Sequence, residues 1–328
     1  QIYAGVFQLV TGTAAGSGAI TFVEGGNGQL QVAGHITLNN TFQLLGDGRI
    51  STAAGQQITL SGVMSGSGTL IVNTPGTLLL AGSASNRTGG VELTSGTLIL
   101  ASAAPLGSGT ITFTAGNTAR LSVTTNTTLP ATIQAAGNAT ISVPENITMQ
   151  TTGGINGSGQ LIKQGLGTLA LAGSSGGTGS TSIEAGILNV DNTNALNSGT
   201  IIFPANSNST LGSTSDATIS NTIQLDALGS FSPNNSTMVI TGNISGAGIL
   251  KKVGNHTLEL SGNNLNVGGI EIDKGHLLIN SANSLPTGKT ITFSAGGSGA
   301  LSTNVDVTIN DKVERLGRAT FEPLGATT

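Results

Sequence analysis

The chain has no cysteine and no tryptophan, a single tyrosine, and few charges of either sign. Without cysteine there can be no disulfide and no thiolate metal site. Charged residues are 8% of the 328, against about 25% in an ordinary soluble domain, so charge clusters of the kind enzymes use are scarce. A net charge of −4 gives no electrostatic reason to hold nucleic acid or an anionic membrane surface. No apolar run approaches the ~18–20 residues of a membrane helix, so direct insertion of this segment into a bilayer is not expected. The sequence opens at Gln1 in the middle of a repeat unit, with no signal peptide ahead of it, and reads as a mature piece of something longer.

What is present is glycine, 51 residues of it, among abundant serine, threonine and asparagine. Disorder needs low hydrophobicity and high net charge; a mean hydropathy of +0.20 opposes it. Short strands of Val, Ile, Leu and Thr punctuated by Gly and Asn turns fit better. A long period organises them. Phe22, Phe113, Phe203 and Phe293 are separated by 91, 90 and 90 residues, and close the phrases GSGAITF, GSGTITF, NSGTIIF and GKTITF. Eight residues on come Leu30, Leu121, Leu211 and Leu301; eight more give Leu38, Leu129, Ile219 and Ile309; four more give Phe42, Ile133, Ile223 and Val313. All are apolar, where composition alone gives 37% per position. A fixed long period marks an array whose units bury their apolar faces against neighbours.

Within the units apolar residues alternate. Leu78 and Leu80, Leu169 and Leu171, and Leu258 and Leu260 share an inward face, while Leu79, Ala170 and Glu259 point outward. Glu259 decides the direction, because a lone charge is not buried unpaired. Period two means strands with one buried face. Residues 309–319 have helical propensity, but their repeat partners 128–135 and 218–225 do not, and the register predicts strand. The fold class is therefore all-β, a continuous parallel β-solenoid over 1–328. Its ~90-residue modules run about 1–22 (partial), 23–113, 114–203, 204–293 and 294–328 (partial), each expected to hold about four coils of ~20–25 residues. The recurring phenylalanines are expected to stack in a column or point into a widened corner.

The phrase from Gly157 to Val190 reads G-x-G-x-L-x-K-x-G-x-G-T-L-x-L-x-G, a turn region, then I-x-A-G-x-L-x-V. It is carried by Gly157, Gly159, Leu161, Lys163, Gly165, Gly167, Thr168, Leu169, Leu171, Gly173, Ile183, Gly186, Leu188 and Val190. A second copy from Gly246 to Ile279 takes Lys251 as the basic residue and has His256 in place of a glycine; a copy from Gly66 to Leu100 departs at the basic position, around Asn73. The pattern resembles the autotransporter-associated β-strand repeat, also called the passenger-associated transport repeat. It covers about a third of the chain directly. The resemblance implies a right-handed β-helical passenger of a Gram-negative type V secreted protein, carried across the outer membrane by a C-terminal barrel. Rickettsial-type surface antigens are also similar.

Catalytic readings find little support. A polysaccharide-cleaving β-helix needs clustered carboxylates and usually aromatic platforms, and a Ser-His-Asp triad needs an oriented histidine. His35, His256 and His276 all sit in repeat phrases and read as surface or turn residues. GDG at 46–48 and GGSGAL at 296–301 lack the tandem aspartates of calcium β-rolls, and GINGSG at 154–159 lacks the lysine and helix of a phosphate loop. No cofactor, no metal and no catalytic residue is expected. One asymmetry stands out: seven Lys/Arg and seven Asp/Glu lie between Lys251 and Thr328, more than half of all charges in a quarter of the chain. Lys274, Asp311, Lys312, Glu314 and Arg315 are the candidate partner-binding residues, set against the blander reading of a solvated face. The segments 83–90, 174–182 and 263–269 differ most between copies, and binding is expected on such variable loops.

The expected function is an extracellular surface rod or adhesin-type passenger, a spacer with roles in attachment and virulence, on the outer membrane or secreted. Its partners would be host-cell or neighbouring-cell surface molecules, or copies of itself; the alternative is a subunit of a self-assembling surface layer or filament.

Overall fold

In a computed structural model of the protein, residues 1–82, 85–101, 106–264, 267–306, 308–309 and 312–323 are described. Two units are formed, one of Gln1–Ile162 with Ser175–Gly179 and the other of Lys163–Ser174 with Ser180–Thr328. Each is a β-solenoid of short parallel strands, about 14 turns in the two together. A short 3₁₀ turn lies at Gly12–Ala15.

The first unit opens with β1 (Val6–Leu9), β2 (Ile20–Phe22), β3 (Gln29–Val32), β4 (Ile36–Leu38), β5 (Phe42–Leu44) and β6 (Gly48–Thr52). There follow β7 (Gln57–Leu60), β8 (Met64–Gly66), β9 (Leu70–Leu80), β10 (Ser85–Arg87), β11 (Val91–Leu100) and β12 (Ile111–Phe113). Strands pair three places apart: β3 with β6, β4 with β7, β5 with β8. Three strands therefore make one coil. β9 bends and serves as two strands, its first part against β6 and its second against β7. β11 does the same, against β12 and Arg120–Val123.

Alternation holds along nearly every strand. The inward residues form apolar ladders such as Leu30–Ile50–Val72–Leu93–Phe113–Ala135, all at or below 1% exposure. Each ladder step spans 20 to 22 residues here, which is the coil length expected from the period. The second unit repeats the design with Leu211–Phe231–Lys252–Ile272–Phe293. Of residues 309–319, for which the register predicts strand, 310 and 311 lie outside the described residues, and Lys312–Arg315 and the start of Arg318–Pro323 are strand. Ala170 differs from expectation. It lies on the outward side of its strand but is only 5% exposed, because a methyl group beside the longer Asn189 of the paired strand is shaded from solvent.

Glycine sets the corners. A Cβ on Gly68 would lie 2.0 Å from the Gly46 carbonyl oxygen, one on Gly89 2.0 Å from that of Gly68, and one on Gly109 2.2 Å from that of Gly89. In the second unit the same contact is 1.9 Å, Gly248 against Ala227. Backbone meets backbone at these corners, and any side chain would force the coils apart. This is the physical reason for the second glycine of the phrases at 66–68, 107–109, 157–159 and 246–248.

The phenylalanines do not stack in one column. Phe22 lies on a ladder that runs from Ile2 through Leu44, then Gly66 and Arg87 on β8 and β10, whereas Phe113 belongs to the ladder of Leu30. In the second unit Phe203 pairs with Leu225, and Phe293 lies on the Phe231 ladder. Phe203 instead meets Phe231, ring centroids 5.6 Å apart. The cause is numerical. β2 through β8 supply seven strand positions, the halves of β9 and β11 supply four, and β10 one. The stretch 106–109, which closes on β10 through Ser108 N–H to Arg87 O, supplies the last before β12. Thirteen positions at three per coil make four and a third coils, not four.

Candidate partner-binding surface

Buried cations are the first feature that outward polarity does not explain. Lys163 and Lys252 are both fully buried, at 0% exposure. The Lys163 ammonium donates to the carbonyls of Gln164 (3.0 Å), Gly165 (2.7 Å) and Ala185 (3.0 Å). Lys252 donates to those of Val253 (2.7 Å), Gly254 (2.9 Å) and Lys274 (2.9 Å). Each ammonium thus spends its three protons on its own turn and on the coil beyond. Burial pushes Lys163 down to about 8. Burial also pushes Lys252 down to about 7, against the opposing pull of Asp273. Both lysines stand at the basic position of the repeat, so the basic residue of the Gly246 copy is Lys252, not Lys251. The reason lies in register: Lys252 pairs with inward Phe231, and Lys251 with outward Ser230. In the Gly66 copy the position is Val72, and Thr74 fills the corner; its hydroxyl accepts from Thr52 N–H and donates to Thr52 O, both at 2.8 Å. Arg87 is a third buried cation, with Nη2 on the carbonyls of Gly90 (2.7 Å), Gly89 (3.2 Å) and Gly68 (3.3 Å). These groups hold corners and are not presented to a partner.

The exposed charges gather elsewhere. Lys251 pairs in register with Glu271, Glu271 with Thr292, and Thr292 with Glu314, forming one outward ladder in the second unit. Lys251 Nζ is 2.8 Å from Glu271 Oε1, and Ser294 donates to the same oxygen at 2.7 Å. Partial burial works to raise the Glu271 carboxyl, but the bonds from Lys251 and Ser294 and the charge of Lys251 outweigh it and hold it below the usual range. Lys312 pairs with Glu314. Lys274 is exposed on a different stretch of its strand, whose ladder runs through Ser298 to Arg318. Arg315 takes the inward slot that Leu225 and Leu44 occupy in other copies, over Phe293, and so points to the opposite side from Lys312 and Glu314. Asp311 lies outside the described residues. Of the candidates, then, Lys312 and Glu314 come together, joined by Lys251 and Glu271, which the sequence marks as a repeat position and as part of a dense charge spot at 271–274 but does not single out as partner-binding. Spacings of one coil, 20 residues from Lys251 to Glu271, and of two coils, 43 from Glu271 to Glu314, were the signal that would have found them.

Of the variable segments, residues 83–84 and 265–266 lie outside the described residues, and the parts at 85–87 and 178–179 are wall. β10 pairs with β8, and Thr178 and Gly179 N–H both donate to Gly157 O. In the first unit a cleft of about 500 Å³ is lined by Thr11, Thr13, Ser17, Thr37, Asn39 and Asn40, with no ionisable group. Among the described residues no three His, Asp or Glu side chains are grouped to hold a metal ion.

The chain is similar to an autotransporter adhesin. Over 111 residues, a third of the chain, it is 39% identical to the Adhesin BmaC autotransporter of Brucella suis biovar 1 (strain 1330). The chain spans only 3% of that protein's length. No protein-family model matches, so the likeness to the autotransporter-associated repeat rests on the residues that carry it. No solved structure matches significantly.

Proposed function

We propose that this chain is part of the passenger of an autotransporter adhesin, held at or released from the surface of a Gram-negative cell. Its solenoid acts as a structural spacer, and its outward ladders meet other cells. The observation that carries this reading is the coincidence of a parallel β-solenoid with 39% identity to an autotransporter adhesin. A structural rather than catalytic role is supported by how the acids are spent: Glu271 on Lys251 and Ser294, Glu184 on Gln164, Asp226 on Gln224. The charged ladder of Lys251, Glu271 and Glu314, with Lys312 bonded to Glu314 and with Lys274 and Arg315 nearby in sequence, is the proposed contact region. Antibodies against the chain, applied to intact cells that make it, should label without permeabilisation, and external protease should remove the label. Labelling that needs permeabilised cells and survives protease would overturn the reading. Excising this segment from the full-length gene should lower attachment to host or sister cells while leaving surface export of the remainder intact.

A further inference from the structure

Within the first unit, the same corner of the repeat is built once from apolar groups and once from polar ones. Seven residues before Phe113 stands Leu106 and eighteen after it Ala131, both buried. The equivalents around Phe22 are Ala15, half-buried, and Asn40, at 5% exposure. The Asn40 amide nitrogen donates to Gly16 O (3.0 Å) and Gly18 O (2.7 Å), tying the exit of the Gly12–Ala15 turn to the next coil. Two carbonyl acceptors fix which end of the amide is nitrogen. Oδ1 is therefore a committed acceptor, and among the described residues nothing donates to it. Asn40 lines the cleft of about 500 Å³, so that acceptor is offered there. Beside it the side chains of Ser17, Thr37 and Asn39 are exposed and make no hydrogen bond to the described residues, while Thr11 and Thr13 bond to each other at 3.3 Å. Gly12 brings the turn down onto β4: a Cβ there would lie 3.1 Å from Thr37 O and 3.2 Å from Ile36 Cγ2.

We propose that this cleft binds a neutral pyranose sugar. Its volume falls within the range of about 300–1,000 Å³ typical of small-molecule sites. Its side chains are hydroxyls and amides, which both donate and accept, as the neighbouring hydroxyls of a sugar ring do. No ionisable group lines it, so a charged ligand would lose hydration and gain no counter-charge. The methyl groups of Thr11, Thr13 and Thr37 supply apolar contact for the C–H face of a ring. An extended peptide fits less well: β4 pairs with β7 on one side, and the turn lies over the other at Gly12, which leaves no clear strand edge to join. Without an aromatic platform the affinity is weak, with Kd on the order of 1–10 mM. The inference goes beyond the surface reading and does not rest on it, because sugar binding is measured on the chain alone and survives a failure of the protease experiment.

The test is an amide-shift titration of the isotope-labelled full chain. The probes are the methyl glycosides of glucose, galactose, mannose and N-acetylglucosamine, with methyl glucuronide as the charged counterpart. At least one neutral glycoside should shift the amides of 11–18 and 36–40 in a saturable way and leave the rest unmoved. The glucuronide should bind about tenfold more weakly or not at all. The double variant Thr37→Val with Asn39→Ala removes two exposed, unbonded groups, so its spectrum away from the cleft should be unchanged while the neutral glycoside binds about tenfold more weakly. If that variant misfolds, Ser17→Ala decides, and should weaken binding by itself. No saturable shift with any of the four, shifts spread over the whole chain, equal binding of the glucuronide, or undiminished binding in the folded variant would overturn the proposal. The same amides shifted by a neutral Ser-Asn-Thr peptide, and by no sugar, would overturn it in favour of a peptide.

Discussion

The two units differ most clearly at one corner. In the first, Val72 closes the interior and the Thr74 hydroxyl satisfies the backbone of the coil before it. In the second, both copies of this corner bury a lysine and place a glycine two residues later, with φ of 75° at Gly165 and 77° at Gly254. The glycine is needed because the turn must wrap its carbonyls around an ammonium, in a conformation that other residues adopt only with strain. The same backbone problem thus has an apolar solution with a hydroxyl and a cationic solution with a left-handed turn. The difference teaches that the basic residue of the repeat is an interior brace. Its charge is tolerated because three carbonyls surround it, even though desolvation opposes the charged form.

The largest expected effect tests what the units share. Leu78→Asp in the first and Leu169→Asp in the second should each destabilise by about 4 kcal/mol or more, since both put an unpaired carboxyl into the same kind of interior. Ala170→Asp, on the outward side, should lower the melting temperature much less. Equal losses at Leu169 and Ala170 would undo the assigned facing. Next come the braces. Lys163→Ala or Lys252→Ala leaves three carbonyls unpaired and a void, for about 3 kcal/mol or more, whereas Val72→Ala should lose about 2 kcal/mol through its void alone. Amide exchange at 163–167 and 252–256 should quicken in the lysine variants only; if Val72→Ala is as damaging to its corner's exchange, the two solutions are not distinct.

A pH titration separates the units further. Lys252 and Lys163 sit near 7 and 8 when folded, against an ordinary 10.5. Between those values the unfolded chain binds more protons, so stability of the second unit should rise with pH from about 7 to 10, by on the order of 1 kcal/mol per pH unit. Exchange protection followed unit by unit should show that rise at the lysine corners and lose it in Lys252→Met; an identical slope in the variant would remove the lysine as its source. The smallest effect belongs to the exposed pair. Lys251→Ala should shift stability by under about 1 kcal/mol, because its ion pair with Glu271 is partly solvated. If it weakens attachment while the fold is intact, the outward ladder matters for contact rather than for folding.

Much of the fold was legible in particular residues. Glu259 between Leu258 and Leu260 fixed which side faced inward, and the copies at 128–135 and 218–225 showed that 312–315 would be strand despite its charges. The candidate surface was only half legible. Charge density picked out 311–315 as a block, but strand alternation splits that block, sending Arg315 away from Lys312 and Glu314. Glu271 reaches the same row because it lies one coil after Lys251, a relation invisible until the coil length is known. Lys251 and Lys252 are chemically alike and adjacent; only pairing with Ser230 or with Phe231 tells outside from inside.

The sequence by itself determined the parallel coiled architecture, the approximate length of a coil, the buried face of the strands whose apolar residues alternate and the glycines at the corners. Those are local properties, repeated often enough to read against one another. Tertiary structure alone decided the phase: which phenylalanine stands over which residue, and which lysine is enclosed. Three strands close a coil because of how backbones pair across space, and a repeat of thirteen cannot be divided by three. Periodicity along the chain therefore does not become periodicity along any one face.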